Sequence, residues 1–309
     1  MSSFIDALRQ EHEGTNKPEL KIAYADFWPE WSDENFIEPI LKKHFYVVTD
    51  QKNPDVLFHS IFGHSSQGYK CKKILYVAEN IRYPYNQSIR DNINIAFGSA
   101  NYTITFDPTK GNNFRLPLWQ VFIMRNPKYL DRLINRVNHQ SFDRFCSFVV
   151  SNPSNFMRNS MFQQMSQYKR VHSYGRYLTN DNSLQLLSKE KYWRDAKDEF
   201  FLNNKHKFSI CYENNSYPYY TTEKLMDSFL NGSMPIYWGD PKVKEDWNTK
   251  AFINTIEYGS NIMSVIRKMD TDYEVFEAKY YQPVFTDSQK DKLLSNLENF
   301  ENWLVSIIQ

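Results

Sequence analysis

The stretch from Phe208 to Asp240, FSICYENNSYPYYTTEKLMDSFLNGSMPIYWGD, holds the densest group of residues able to do chemistry. It reads as strand, polar loop, helix, turn and strand. Leu225 with Phe229, and Met226 with Leu230, are apolar i,i+4 pairs that predict a helix face laid on a sheet. Thr221 or Thr222 is expected to cap that helix by accepting a backbone N–H, and Asn231-Gly232 to stop it. Glu223 and Lys224 then fall in the first turn. A carboxylate beside exposed N–H donors is ordinary, but an ammonium opposes the positive end of the helix dipole. Either the lysine is simply solvated or a bound anion offsets the conflict, and a diphosphate suits such a terminus.

The other reactive types carry weaker patterns. Glu79, at the end of LYVAEN (75–80), has the position of a base at a strand end and equally that of an ordinary strand-terminal carboxylate. Asp270-Thr271-Asp272 is a DxD string, but Thr271 with Glu274 reads as a capping box before an apolar-periodic helix, so a helix start is expected rather than a metal site. His59 and His64 lack an HExxH context and are read as loop or cleft residues. No CxxC pair, GxSxG elbow or phosphate-binding glycine loop occurs.

Six short apolar runs bounded by polar turns precede residue 110: KIAYADF (21–27), FYVVTD (45–50), DVLFHSIF (55–62), KKILYVAEN (72–80), INIAFG (93–98) and YTITF (102–106). Runs of this kind predict buried parallel strands. A helix is expected over 33–44. A second series begins with FCSFVVSN (145–152), continues through helices at 155–168 and about 183–202, and takes in KFSICYEN (207–214), MPIYWG (234–239) and FINT (252–255). Strand and helix alternate throughout, which predicts an α/β fold. At 309 residues two domains are expected, 1–140 and 141–309, with an amphipathic helix over 287–308 that is read as packing back on the first domain.

Composition excludes several classes. With 37 Lys plus Arg against 36 Asp plus Glu, the net charge of +1 provides no long-range field for nucleic acid. Three cysteines, Cys71, Cys146 and Cys211, sit in apolar runs and read as reduced thiols. No run of about twenty apolar residues is present to span a membrane. These features point to a soluble cytoplasmic protein, or to a lumenal one whose anchor has been removed. The 21 Tyr and 23 Phe fit sugar stacking and core packing equally.

Glu213-Asn214, Tyr220, Thr222-Glu223-Lys224 and Pro235-Ile236-Tyr237-Trp238-Gly239 together resemble the donor motif of the α-1,3-fucosyltransferases, E-N, a short loop, Y-x-T-E-K, a helix, and P-I-Y-W-G, over about thirty residues at matching spacing. RFCSFVVSNPSNFMRN (144–159), VHSYGRYLTN (171–180), LYVAEN and FRLPLW (114–119) extend the likeness. The resemblance implies a GT-B-like fold, two Rossmann-like α/β domains facing across a cleft, and inverting transfer of L-fucose from GDP-fucose to a GlcNAc-type or glucose-type hydroxyl of a glycan. It maps the base to Glu79, a phosphate-binding arginine to Arg176, and donor contacts to Lys224, Asn214, Tyr220 and Glu223. Tyr220 taken alone reads as a packing residue. No metal or cofactor is required, a divalent cation at most stimulating. The N-terminal domain would bind the acceptor, for which Tyr83, Phe62 and Trp28 are the surface candidates, and the C-terminal domain GDP-fucose. The competing readings are another nucleotide-sugar transferase of the same fold and an inactive glycan-binding homologue.

Overall fold

A computed structural model describes residues 17–81, 87–136 and 138–309. The chain forms two compact units, one of residues 1–127 with 292–309 and one of 128–291.

The first unit is built on a six-stranded sheet in the order β2-β1-β3-β4-β5-β6. Its strands are β1 (Glu19–Ala25), β2 (Tyr46–Thr49), β3 (Val56–His59), β4 (Lys72–Tyr76), β5 (Tyr102–Thr105) and β6 (Asn113–Arg115). All neighbours are parallel, with Ile22 opposite Val56 and Phe58 opposite Ile74. The apolar runs are strands because both faces of such a sheet are covered. The helix Asp287–Ile308 brings Phe300, Leu304 and Ile307 into the core of this unit, alongside Phe36 and Phe114. Phe300 lies edge-on to Phe114 with ring centroids 5.3 Å apart.

Three expected elements differ. INIAFG is not a strand but part of the helix Gln87–Ser99. Ile93, Ala96 and Phe97 recur at i, i+3 and i+4, a helical period that a six-residue apolar run conceals. The helix over 33–44 is two pieces, Trp31–Glu34 and Ile37–His44. Asn35 Oδ1 accepts the N–H groups of Ile37 (3.0 Å) and Glu38 (3.2 Å) and starts the second piece. Pro39 enforces the break, because its ring would clash with the carbonyl four residues back in a continuous helix. The helix over 183–202 is likewise divided, into Ser183–Leu187 and Trp193–Asn203. The Ser188 hydroxyl turns back to the Gln185 carbonyl (2.9 Å) where the first piece ends.

The second unit carries a five-stranded parallel sheet in the order β11-β10-β9-β7-β8. These strands are β7 (Arg144–Phe148), β8 (Val171–Ser173), β9 (His206–Tyr212), β10 (Met234–Trp238) and β11 (Ile253–Asn254). Cys146 lies opposite Phe208, and Ile236 opposite Ile210. Counted outward from β7 the chain first adds β8 on one side, then β9, β10 and β11 on the other. The order therefore reverses between β7 and β9, and the loops leaving those two strands diverge. In open α/β sheets that divergence opens a crevice at the carboxyl ends.

Asp270 lies in the last turn of the helix Ile262–Thr271, and Asp272 opens the helix Tyr273–Tyr280 by accepting the Val275 N–H (3.1 Å). The cap is thus Asp272 rather than Thr271, whose hydroxyl donates back to Arg267 (2.9 Å). Asp270 is held by Lys169, Lys207 and Tyr168, which accounts for its charge.

Candidate donor site

The helix Glu223–Leu230 starts at the carboxyl edge of the second sheet, and its apolar face is the expected one: Leu225, Met226, Phe229 and Leu230 are all buried. Its far end is met by Arg132 and His139. Arg132 donates to the Leu230 carbonyl (2.9 Å), and a His139 ring nitrogen lies 3.1 Å from that of Asn231. A guanidinium at this end complements the dipole. Asp227, buried on the same helix, accepts both guanidinium nitrogens of Arg194 and the Lys197 ammonium.

The helix start departs from the expected cap. Neither threonine accepts a helix N–H. Thr222 instead gives its N–H to Glu213 Oε1 (2.7 Å) and its hydroxyl to Glu213 Oε2 (2.6 Å), and Thr221 gives its hydroxyl to Asp240 (3.1 Å). Glu213 and Asp240 are both 0% exposed. A buried carboxylate is acceptor-only and costly to leave unpaired, so it takes the hydroxyls that would otherwise cap the helix.

Glu213 follows directly on β9, and its burial pushes its carboxyl up, opposed chiefly by Lys224. Lys224 Nζ lies 3.3 Å from Glu213 Oε2 and 3.6 Å from Glu223 Oε1, and donates to Thr222 Oγ1 (2.9 Å). The ammonium at the wrong end of the dipole is therefore held by carboxylates. Burial pushes the Glu223 carboxyl up, but Lys224, Lys197 and Arg194 outweigh it and hold it down at about 2. Those cations favour the ionised form of Glu223 at neutral pH. Gly239 is what lets Glu213 in: a Cβ there would lie 2.4 Å from Glu213 Cγ.

At the reversal between β7 and β9, Asn155 caps the helix Phe156–Tyr168 and donates to the carbonyls of Glu213 (3.2 Å) and Asn214 (2.8 Å). Arg158, 1% exposed, donates to Asn214 Oδ1 (2.9 Å). Tyr220 is 1% exposed, inside the loop that joins β9 to the 223–230 helix. Arg176 follows β8, is exposed, and lines a cavity of about 550 Å³ with Ser151, Gln185, Lys189 and Trp193. Gly175 beside it lies so close to the Val150 backbone that a Cβ would come within 2.0 Å of the carbonyl oxygen.

The structure thus brings Asn214, Tyr220, Glu223 and Lys224 together on one loop and helix start. Lys224 is not among the cavity residues that surround Arg176. Glu79 belongs to the first unit, three residues beyond β4 and exposed. Of the acceptor candidates, Trp28 and Phe62 meet edge to face at 5.9 Å, and the Trp28 indole N–H donates to Glu34 (2.8 Å). Tyr83 lies outside the described residues. His59 is fully buried in β3, and burial lowers it to about 4, so it is a neutral core residue. Sequence reasoning did not single out Asp240, Asn155, or the Arg194–Asp227–Lys197 group. The only local signal was the capping pattern at Asn155. The three thiols are unpaired, and among the described residues no helix is long and apolar enough to cross a membrane and no group of three acidic, His or Cys side chains is placed to hold a metal ion.

Comparison with known proteins places these features. A family model for the α-(1,3)-fucosyltransferase FucT N-terminal domain matches residues 22–122, and one for the C-terminal part of glycosyltransferase family 10 (fucosyltransferase) matches residues 140–293. The chain is 25% identical to the α-(1,3)-fucosyltransferase FucT of Helicobacter pylori over 91% of its own length and 63% of that protein's. It is 26% identical to the human GDP-fucose protein O-fucosyltransferase 3 over 64% of its length and 42% of that protein's. It therefore spans less than two thirds of either relative. In fold it is similar to a crystal structure of an α1,3-fucosyltransferase with GDP-fucose, with a TM-score of 0.65 and 21% identity over 96% of this chain and 95% of that one. The two parallel α/β sheets are accordingly those of a GT-B-like fold.

Proposed function

Because this chain belongs to glycosyltransferase family 10, the fucosyltransferases, we propose that it transfers L-fucose from GDP-fucose to a hydroxyl of a glycan acceptor, in α-1,3 linkage and with inversion at the anomeric carbon. The observation that carries the reading is the start of the 223–230 helix at the carboxyl edge of the second sheet, where Lys224 is held beside Glu213, Glu223 and Thr222 in the first turn.

The bond between the anomeric carbon and the β-phosphate oxygen breaks with build-up of positive charge on the sugar, as in glycoside hydrolysis. GDP leaves as an anion and needs charge stabilisation rather than a proton. Lys224 and the helix N-terminus provide it, with Arg176 as the second cation, a planar fork of donors suited to phosphate oxygens. Glu223, its carboxyl held low by the neighbouring cations, faces the fucose and favours the developing positive charge. Asn214 and Tyr220 hold the same donor. Glu79, carried by the first unit, takes the proton of the acceptor hydroxyl. In this reading the first unit binds the acceptor and the second GDP-fucose. These cations supply the charge that a metal would, so turnover persists in EDTA. The unpaired thiols favour a reducing compartment, the cytoplasm.

The experiment is a pair of measurements on each variant, turnover of GDP-fucose with a glycan acceptor and GDP affinity by calorimetry. Glu79→Gln abolishes turnover and leaves GDP affinity in place. Arg176→Ala and Lys224→Ala each weaken GDP binding by about tenfold or more, since a charge-assisted bond contributes about 1.5–3 kcal/mol. Should Glu79→Gln lose both together, the base assignment falls. Should UDP raise the melting temperature more than GDP, the donor assignment falls.

A further inference from the structure

We propose that Asp240 is a positioning residue for the donor site, a buried clasp that sets the shape of the Tyr219–Thr222 turn and through it the first turn of the 223–230 helix. The inference rests on reading that helix start as the diphosphate site.

Asp240 lies two residues beyond β10 and is 0% exposed. Its oxygens are divided between three donors. Oδ1 accepts the N–H of Tyr219 (2.7 Å) and of Lys242 (2.7 Å), and Oδ2 accepts the Thr221 hydroxyl (3.1 Å). Tyr219 has φ +68, the left-handed region, which costs a bulky residue about 1–2 kcal/mol and persists only where partners enforce it. Asp240 enforces it on one side, and Glu213 grips Thr222 on the other. The turn that carries Tyr220 is thus gripped at both ends by buried carboxylates. Moving either grip moves the backbone that leads into Glu223 and Lys224.

The groups facing Asp240 come from every side of it. From β10, the Tyr237 hydroxyl accepts its N–H (3.1 Å) and lies 3.4 Å from Thr221 Oγ1. Asp246, after the turn Val243–Glu245, adds a second negative charge. Lys242 gives its backbone N–H, while its half-exposed ammonium lies 3.7 Å from Glu245. Glu213 bears on the same Tyr237 ring. Burial pushes the Asp240 carboxyl up to about 6 against the three donors, and Asp246 pushes the same way.

The clasped carboxyl holds its proton more tightly than a solvated aspartate near 3.8. Linkage then favours the clasp at low pH and loosens it as pH rises through about 6. When protonated, Oδ2–H donates to Thr221 while Oδ1 still accepts both N–H groups. An asparagine reproduces that pattern at every pH, its Nδ2 donating and its Oδ1 accepting.

The test is hydrogen exchange of the 214–224 segment in the full chain without nucleotide, corrected for intrinsic rates, between about pH 5 and pH 8. Wild type loses protection about tenfold as pH rises, Asp240→Asn stays protected throughout, and Asp240→Ala is poorly protected at any pH. GDP-fucose affinity is the second reading, chosen because its diphosphate is esterified at both ends, whereas a terminal phosphate itself titrates near pH 6. The dissociation constant rises with pH in wild type and is flat in Asp240→Asn. A wild-type pH slope in Asp240→Asn, or wild-type protection in Asp240→Ala, overturns the clasp. GDP-fucose affinity that ignores pH in the wild type while protection changes removes the positioning role. Protection that follows the expected pattern in a protein that binds no GDP-fucose retires the donor reading and leaves the clasp standing. If the alanine variant fails to fold, the wild type against asparagine comparison decides alone.

Discussion

Replacing Gly239 by alanine tests how tightly the donor helix depends on Glu213. The new Cβ would lie 2.4 Å from Glu213 Cγ, 2.7 Å from its Cβ and 3.1 Å from the Tyr237 hydroxyl. Gly239 has no positive φ, so the backbone accepts alanine and the effect is contact alone. Carbon atoms pack at about 3.5 Å or more, so Glu213 must retreat by about 1 Å. Its carboxylate is fully buried, and bonds of 2.7 and 2.6 Å to Thr222 do not survive a shift of that size. Hydrogen bonds to a charged group contribute about 1.5–3 kcal/mol each and overpacking costs about 1–3 kcal/mol. The two losses overlap, because the retreat that breaks the bonds is what relieves the clash. The expected destabilisation is about 3–4 kcal/mol, or about 10 °C in melting temperature for a unit of this size. Calorimetric melting and a GDP-fucose titration should fall together, since Thr222 and Lys224 move with Glu213. Gly98→Ala is the control. It sits in the helix Gln87–Ser99 with nothing within 4 Å of its Cβ, and should gain about 0.5–1 kcal/mol. A Gly239→Ala protein that melts with the wild type and binds GDP-fucose undiminished would refute the packing argument.

Asp227→Ala removes the carboxylate shared by Arg194, 7% exposed, and Lys197, and should cost about 3–5 kcal/mol in urea denaturation; a loss below about 1 kcal/mol contradicts it. His59 and His206 are both lowered to about 4 by burial and are neutral in the fold, while the unfolded chain takes up protons from its ordinary 6.5 downward. Stability is therefore lost as pH falls from about 6.5 to about 4, by up to about 3 kcal/mol per histidine, and an unfolding midpoint that does not move over that range would be inconsistent. Asn214→Asp keeps the acceptor for Arg158 but replaces the amide donor by a second acceptor, so GDP-fucose binding should weaken severalfold; tighter binding would mean that the donor is held elsewhere.

Most strands were readable because a parallel sheet covered on both faces leaves an apolar run that polar residues interrupt only at turns. The exceptions are physical. β6 and β8 have three residues each, too few to show any period. INIAFG is apolar enough for a strand, and only the wider spacing of Ile93, Ala96 and Phe97 gives a helix. The break at Asn35 follows from Pro39, whose effect on the residue four positions earlier is local chemistry that a count of apolar residues overlooks.

The site divides along the same line. Glu223 and Lys224 were visible as charges in a helix's first turn, since that rests on sequence spacing. What holds them was not, because it depends on burial. Thr222 has the sequence of a cap and would be one over solvent, yet beside a carboxylate with no exposed surface its hydroxyl is worth more as a donor. Glu213 and Asp240 stand just after strands, where sequence reads a polar loop residue. They are buried because the chain reverses between β7 and β9 and packs the loop after β9 against the end of β10. A nucleotide site at such an edge needs donors facing outward, and donors keep their direction only if acceptors behind them are fixed. Two carboxylates out of water supply that fixed layer. Their desolvation is a standing cost in stability, which is why the residues beneath the site should be the ones whose neutral substitutes fold more firmly.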